Sequence, residues 1–476
     1  MKINRNMSAV RANKQLLGTE NRLSKSMKRL SSGYKINSAE DNPAGMAISN
    51  KMKAQIEALD QAKSNSSDAQ NVMKIADGAL GEVSSMLQRI RELAVQGASD
   101  TYSENDKKAL QSEIDELTKE VDRISGDTEY NTKSLLDGSS DTRVYVRQKG
   151  ANGNMTQVNS YITRINFSDN VASDKYELTV NSLATQATGS LASATKPDAE
   201  GTISINGVSV AVKADMTQDE YIQALQKAAT TAGTTMQVNG DSISFLSNEY
   251  GSDSTVNISL SSSLKALAGA GYENADDGSG NMQLKSNGKD AVVTGGENLS
   301  DKTIRADGNR VYVVGNSGFS MDFLLSSDMD MTAGSSNLQI DISDIGNMAV
   351  QIGANEGQEM KIRIPEVSSQ TLYLDTVDVT VKGGADKAMS TLDEAIEYVS
   401  GVRSRIGAFQ NRLESAESSL SETSENMTGA YSNIMDTDMA TEMTEYAAQN
   451  ILDQAGISVL SQANDLPQQV LSLLSR

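Results

Sequence analysis

The side chains that most often perform enzymatic chemistry are missing from this sequence. Its 476 residues include no cysteine and no histidine. Without cysteine there are no disulfides, thiol nucleophiles or thiolate metal sites. Without histidine the commonest base and transition-metal ligand near neutral pH is absent. We therefore do not expect a zinc hydrolase or a serine triad.

Two pairs of acids, Asp276-Asp277 and Asp328/Asp330, are the remaining candidates for catalytic carboxylates or a calcium site. The whole chain has a formal net charge of −21. Because acidic loops are ordinary in an acidic protein, solvated loop acids explain both pairs. The sequence thus predicts no enzyme, no metal and no cofactor. Its acidity also argues against nucleic acid as a general partner.

Residues 87–96, which read LQRIRELAVQ, combine a predicted buried stripe with a charged flank. The apolar positions that recur at helical spacing are Leu87, Ile90 and Ala94. At about 100° per residue, Leu93 falls at the edge of that stripe, and Arg89 and Gln96 continue outward from it. One apolar anchor beside an arginine that can make a bidentate contact is a composition typical of binding hot spots.

Long helices must position this flank. Residues 7–30 predict an amphipathic helix that ends at Ser31-Ser32-Gly33, and Asn42 can cap a second helix over 43–97. That second helix would be roughly 80 Å long at 1.5 Å per residue. Three runs with steps of three and four predict a coiled-coil rod. They are Val72, Ile75, Ala79, Val83, Leu87, Ile90 and Ala94; Leu110, Ile114, Leu117, Val121 and Ile124; and Leu392, Ile396, Val399, Ile406, Phe409, Leu413, Ala416 and Leu420.

The two ends of the chain carry opposite charge. Residues 1–35 hold nine Lys and Arg and one acid, whereas 436–476 hold six acids and one Arg. The ends could therefore pack together, within one molecule or between neighbours, or each could be a solvated helix face. The last stretch, from Ile457, is apolar on more than one side, so it must be covered by something. This pattern predicts self-assembly.

The middle of the chain is predicted to be β-rich. Asn206-Gly207, Gly240-Asp241 and Asp307-Gly308 each precede or separate alternating apolar residues, which indicates hairpins. Thr217 and Glu220 have the spacing of a capping box that opens a short helix to about Ala232. We find no apolar run of the roughly 18 residues that would span a membrane, and the N-terminus lacks the apolar core of a signal peptide.

At both ends the chain resembles bacterial flagellin. The N-terminal block that carries the resemblance is LSSGYKINSAEDNPAGMAI at 30–48, and the C-terminal blocks are RIGAFQNRL at 405–413, ILDQAG at 451–456 and QANDLPQQVLSLL at 462–474. The segment VQIGANEGQ at 350–358 is also similar to a family block. These motifs are specific and, with their surroundings, cover about half of the chain.

The resemblance implies a mixed fold, an all-α coiled-coil rod formed by both chain ends with a β-rich central insertion as the outer region. The implied divisions are an inner-tube helix at 1–42, rod at 43–139, variable outer region at 140–346, rod at 347–434 and a second inner-tube helix at 435–476. The residues expected to mediate self-assembly are Leu16, Leu23, Met27, Leu30, Ile457, Leu460, Leu466, Val470, Leu471 and Leu474.

The implied function is that of a structural subunit which polymerises into the flagellar filament for motility. The implied partners are other copies in a helical homopolymer, an export chaperone and the filament cap, with no nucleic acid and no membrane. The protein would be extracellular, exported by the flagellar apparatus without a cleaved signal peptide. The alternative is a hook–filament junction protein of related fold.

The resemblance also implies that the helix over 88–95 contacts the host Toll-like receptor 5. The expected contact residues are Gln88, Arg89, Glu92, Leu93, Gln96 and Glu113. The alternative is that Arg89 pairs with a neighbouring acid and Leu93 packs on the adjacent helix in the filament. Both interpretations hold together if assembly covers the same flank.

Overall fold

The fold consists of long helices at both chain ends and a β-rich middle, as the sequence predicted. A computed structural model describes residues 6–99, 101–149, 155–168, 170–274, 280–331, 335–343 and 345–474, without the side chains of 297, 317 and 466–474. The helices are α1 (Met7–Ser32), α2 (Pro43–Gly97), α3 (Glu104–Asp127), α4 (Gln218–Thr231), α5 (Gly384–Met435) and α6 (Met439–Leu474).

The strands of the described residues lie between α3 and α5. They are β1 (Glu129–Tyr130), β2 (Lys133–Ser134), β3 (Arg143–Lys149), β4 (Met155–Gln157), β5 (Ile162–Phe167), β6 (Lys175–Ser182), β7 (Gln186–Leu191), β8 (Gly201–Ile205), β9 (Val208–Val212), β10 (Thr234–Asn239), β11 (Ser242–Tyr250), β12 (Thr255–Leu260), β13 (Glu273–Asn274), β14 (Met282–Asn287), β15 (Val292–Gly295), β16 (Thr303–Asp307), β17 (Arg310–Val314), β18 (Ser320–Leu325), β19 (Ser336–Ser343), β20 (Met348–Gln351) and β21 (Glu359–Ile362).

Local signals determine where the helices begin and end. The Asn42 side chain accepts a hydrogen bond of 3.0 Å from the backbone N–H of Gly45 at the start of α2. Gly33, with φ at 76°, ends α1 in the left-handed region that glycine tolerates. Thr217 and Glu220 form the reciprocal capping box that opens α4. All three predictions are confirmed.

The buried stripe of α2 is displaced from the predicted one at one point. Ile75 is 41% exposed, whereas Ala76, Leu80 and Val83 are each 0% exposed. From Val83, steps of three and four lead back to Leu80 and Ala76, while two steps of four lead to Ala79 and Ile75. Only the alternation of three and four keeps the 3.5-residue spacing of a coiled coil. Our choice of Ile75 was wrong because two successive steps of four move away from that seam.

The described residues divide into two compact units. The first contains those of 1–70, 350–360 and 411–476. Its helical core includes Leu59, Ala62 and Leu420. Polar contacts border that core, since Asp60 accepts from Ser424 at 3.1 Å and the Gln70 amide donates to Glu417 at 3.2 Å.

The second unit contains the described residues of 71–349 and 361–410. In its helical part, the apolar runs predicted on α3 and α5 are buried at Ile114, Val121, Leu392, Val399 and Ile406. Arg403 pairs with Asp77 at 2.9 Å and so joins α5 to α2. The helical part is therefore a bundle of α2, α3 and α5 segments.

Two β-sandwiches occupy the rest of the second unit. In the first, the five-stranded sheet β15-β6-β19-β3-β4 faces the four-stranded sheet β16-β17-β18-β5 across one core. In the second, the sheets β10-β11-β7 and β13-β14-β12-β8-β9 and helix α4 share another core. The second lies wholly within the sequence of the first, so we call them the split sandwich (143–182 and 291–343) and the nested sandwich (186–287).

The chain enters and leaves the nested sandwich at a single point. Thr185 and Lys289 form an antiparallel bridge there, with hydrogen bonds of 2.9 and 3.3 Å between their backbones. The hairpins inside this sandwich are as predicted. Asn206 and Gly207 have φ of 46° and 79°, as a two-residue turn with positive φ at both positions requires.

Among the described residues, the structure contains no helix that is both long and apolar enough to cross a bilayer.

We predict opposite effects of the same substitution at two glycines of α2. A Cβ on Gly97 would lie 2.9 Å from the Val379 side chain, whereas one on Gly81 would meet nothing within 4 Å. Gly97→Ala should therefore lower the free energy of unfolding by about 1–3 kcal/mol through overpacking. Gly81→Ala should raise it by about 1 kcal/mol through helix propensity. Urea unfolding followed by helical circular dichroism measures both, and a stabilising Gly97→Ala would contradict the close contact.

Candidate functional site

An exposed ionic cluster on α2 and α3 contains most of the predicted receptor-contact residues. The Arg89 guanidinium donates to one Glu113 carboxylate oxygen at 2.8 and 3.1 Å and to Glu92 at 3.1 Å. These hydrogen bonds, that to Glu113 foremost, raise the pKa of Arg89. Gln88 and Gln96 are exposed on the same helix. We call Gln88, Arg89, Glu92, Gln96 and Glu113 the ionic patch.

Leu93 is not part of that surface. Its side chain is 1% exposed, so the prediction that it forms an apolar anchor on the flank is wrong. Arg89 pairs with Glu113 of α3 on one side of α2, and Arg91 pairs with Asp393 of α5 at 2.6 Å on another. Because two helices cover α2, its buried arc is wider than a single seam and includes Leu93. The helical wheel gave the angular position of Leu93 on α2, but it could not show how many helices pack against α2.

Sequence reasoning missed one exposed apolar residue beside the patch. Val95 is 48% exposed and lies beside Gln88 on the helical wheel, on the side away from Glu92. An apolar residue opposite a buried stripe was the available signal. Glu113, in contrast, came from the resemblance alone, although its position next to the buried Ile114 already places it on the flank of α3.

A second candidate surface is formed by α1 and α6, which pack antiparallel in the first unit. The Asn6 side chain donates to the Ala463 carbonyl at 2.8 Å, and Arg29 lies 3.6 Å from Glu442. Between these ends, a Cβ on Gly456 would lie 3.2 Å from Leu16. The oppositely charged chain ends therefore pack together within one molecule.

The seam between these two helices is largely small or polar. Its buried and half-buried residues follow steps of three and four on both helices, as in a coiled coil. On α1 they are Ala9, Ala12, Leu16, Thr19, Leu23, Ser26 and Leu30, and on α6 they are Glu442, Tyr446, Gln449, Asp453, Gly456, Leu460 and Ala463. One oxygen of each of Glu442, Gln449 and Asp453 is buried there without a hydrogen-bond partner among the described residues.

Large apolar side chains lie outside the seam instead. Ile451 is 67% exposed, and all the others are at least 48% exposed. They are Met7, Val10, Leu17 and Met27 on α1, and Met439, Met443, Leu452, Ile457 and Val459 on α6. We call this set the outer apolar face. The pair thus has a partly inverted distribution of polarity, because its contact within the molecule is largely small or polar while these large apolar side chains are exposed among the charged ones.

The predicted assembly residues fall on both surfaces. Leu16 is buried in the seam, and Leu23, Leu30 and Leu460 are half-buried there. Met27 at 51% and Ile457 at 53% exposed belong to the outer apolar face. The side chains of Leu466, Val470, Leu471 and Leu474 lie outside the described residues.

The acid pairs do not form a described metal centre. Asp276-Asp277 lies outside the described residues, and the Asp328 backbone N–H donates to Ser326 at 3.2 Å, as in an ordinary turn. Among the residues that the structure describes, no three of His, Cys, Asp and Glu come together as metal ligands.

The burial of Leu93 leads to a prediction that separates packing from surface contact. Leu93→Ala should lower the free energy of unfolding by about 2–5 kcal/mol, as for a buried leucine. Gln96→Ala, one turn away and exposed, should change it by less than about 0.5 kcal/mol. Chemical denaturation measures the free energy of unfolding of both variants, and equal values would contradict the burial of Leu93.

Two family models match the ends of the chain. The model described as the bacterial flagellin N-terminal helical region matches residues 3–141, and that described as the C-terminal helical region matches 389–474. These matches include all the residues of the ionic patch and the helices α1 and α6.

Full-length relatives extend the match across the middle. A flagellin of Clostridium tyrobutyricum is 31% identical over 98% of this chain and 100% of its own length. Flagellin D of Vibrio anguillarum is 29% identical, and a flagellin of Salmonella rubislaw is 30% identical, each over 99% of both chains. The chain therefore belongs to the bacterial flagellin family and is a structural subunit of the flagellar filament.

Proposed function

We propose that this subunit polymerises by covering the outer apolar face of α1 and α6 with the same helices of neighbouring copies. The inverted polarity of the helix pair is the observation that carries this proposal. Burying apolar surface is worth about 25 cal/mol per Å². A face that exposes Ile451 at 67% and Ile457 at 53% therefore gains much more from covering than the seam does.

We also propose the finer partners that family membership suggests. They are an export chaperone, the filament cap and the flagellar export apparatus, which would deliver the subunit to an extracellular filament without a cleaved signal peptide. Membership of the flagellin family and relatives matched over nearly their whole length support the filament subunit over a hook–filament junction protein.

We predict that assembly depends on the outer apolar face and not on monomer folding. Deleting 457–476 should abolish tubular filaments in electron microscopy after salt-induced assembly, while circular dichroism still shows a helical monomer. Ile451→Ser should weaken assembly in the same assay with little effect on the monomer, because this side chain is mainly exposed. Filaments that persist after the deletion would overturn the assembly proposal.

We further propose that the ionic patch binds Toll-like receptor 5. The patch lies on a helix whose opposite side is fully buried, so its backbone is held rigid before binding. Arg89 is exposed but already oriented by Glu113 and Glu92. Leu93 supports receptor binding indirectly. Its buried side chain holds this turn of α2 against the neighbouring helices and does not itself contact the receptor.

A matched pair of arginines tests this proposal. The side chains of Arg89 and Arg91 are 46% and 44% exposed and each pairs with an acid of another helix, but they lie on different sides of α2. Arg89→Ala should weaken binding of the monomer to the receptor ectodomain by at least about 30-fold, as expected for a hot spot of 2 kcal/mol. Arg91→Ala should leave it nearly unchanged. Surface plasmon resonance measures both, and equal losses would exclude the patch.

Filament and monomer should also differ in receptor binding. If neighbouring subunits cover the same flank, the monomer binds the receptor and cross-linked filament binds poorly. Comparing the two at equal subunit concentration tests this, and equal binding would show that assembly leaves the patch open.

A further inference from the structure

One arginine joins the split sandwich to two other parts of the second unit. Arg310, on β17, pairs with Asp322 on the neighbouring strand β18 at 3.3 Å. Its other terminal nitrogen pairs with Glu394 on α5 at 2.6 Å. Both Arg310 and Asp322 have side chains that are only 23% exposed. The contact between sandwich and helix is therefore a partly desolvated ionic one.

A tyrosine from the segment before α5 completes the contact. The Arg310 guanidinium lies 4.2 Å from the ring centroid of Tyr373, and that of Arg164, on β5, lies 5.0 Å from the same centroid. Arg164 also pairs with Asp375 at 2.5 Å. Tyr373 has φ of 56°, a left-handed conformation that is strained for a non-glycine residue. The segment holds this strained conformation while its ring contacts both arginines.

A third arginine, from the same segment, also contacts β5. Arg363 pairs with Asp141 at 2.9 Å and donates to the Phe167 carbonyl at 2.8 Å. Its guanidinium lies 4.4 Å from the Phe167 ring. Since Phe167 ends β5, where Arg164 also lies, the two arginine contacts hold one edge of the split sandwich at separate points.

These contacts contribute little net free energy of folding, because burying their charged groups is unfavourable. Burial raises the pKa of Asp322, although Arg310 acts in the opposite direction. Loss of water therefore outweighs the attraction of the nearby guanidinium. Well-packed apolar residues often stabilise such a position better than a buried ion pair does. An ionic contact with several partners instead restricts the relative orientation of the elements it joins, because the planes of the guanidinium, the carboxylates and the ring must all align.

Two other described ion pairs, both between the nested sandwich and helices, are more exposed. Lys227 of the nested sandwich pairs with Glu104 at 2.9 Å, with side chains 69% and 56% exposed. Lys387 pairs with Glu249, again with both at least half exposed. Such exposed pairs are screened by solvent and contribute little to stability. They cannot define an orientation as sharply as Arg310 does.

We propose that Arg310, with Tyr373 and Glu394, is a latch that sets the orientation of the split sandwich on α5. With the latch closed, the sandwich has one orientation relative to the helices of its unit. With the latch open, the sandwich keeps its own core and samples several orientations about its chain connections, as in hinge motions between packed bodies.

The absence of cysteine allows a direct measurement on the full chain. Spin labels on Lys175→Cys, in β6, and Ser400→Cys, in α5, report the distance between sandwich and helix; both native residues are exposed. The parent should give one narrow distance distribution. Arg310→Gln should widen it by about twofold or more. The matched control is Arg305→Gln on the adjacent strand β16, which removes an exposed arginine and should leave the width unchanged.

A second variant keeps the test decisive. If Arg310→Gln unfolds the sandwich, Glu394→Gln opens the latch from the helix side, where the carboxylate is 53% exposed and the sandwich core is untouched. A wider distribution with an unchanged thermal transition of the sandwich supports the latch. An unchanged width in Glu394→Gln, or in a folded Arg310→Gln, overturns it.

Discussion

The burial of one wide arc of α2 is the constraint on which the rest of the structure depends. Leu80, Val83, Leu87 and Ile90 are completely buried, and Leu93 adds a second side to the arc. A single helix cannot cover an arc of this width, so α3 and α5 are both required. Because α3 comes before and α5 after the whole β-rich middle, segments far apart in sequence must meet before this helical bundle can form.

The helix pair at the chain ends follows a different logic. Its seam contains Thr19, Ser26 and Gln449, each at least nine-tenths buried, where leucines would make a stronger pair. A seam of leucines would bury more apolar surface within one molecule and would leave less of it for contacts between copies. The polar contacts in the seam keep the two helices aligned, and the large apolar side chains left exposed are the surface that we propose neighbouring copies cover.

Local features of this fold could be predicted from sequence, and features that depend on distant segments could not. The caps at Asn42 and Thr217 and the turn at Asn206-Gly207 were predicted because a few adjacent residues determine them. The position of Ile75 was wrong because two successive steps of four move away from the seam. That of Leu93 was wrong because periodicity does not report how many helices surround a helix. The latch was not predicted at all, since Arg310, Tyr373 and Glu394 carry no mutual signal in the sequence. Of the site, the exposed charges of α2 were evident, but their pairing across helices was not.

The bridge between Thr185 and Lys289 has a consequence for how this chain can vary. The described elements between these two residues pack around a core of their own, and the chain enters and leaves them at neighbouring positions. A segment of this kind behaves as a cassette: it can be shortened, exchanged or replaced by a foreign domain without moving the strands that flank it. The flanking strands then depend only on the spacing between the backbones of Thr185 and Lys289. A change inside the nested sandwich therefore need not disturb the fold of the residues that flank it.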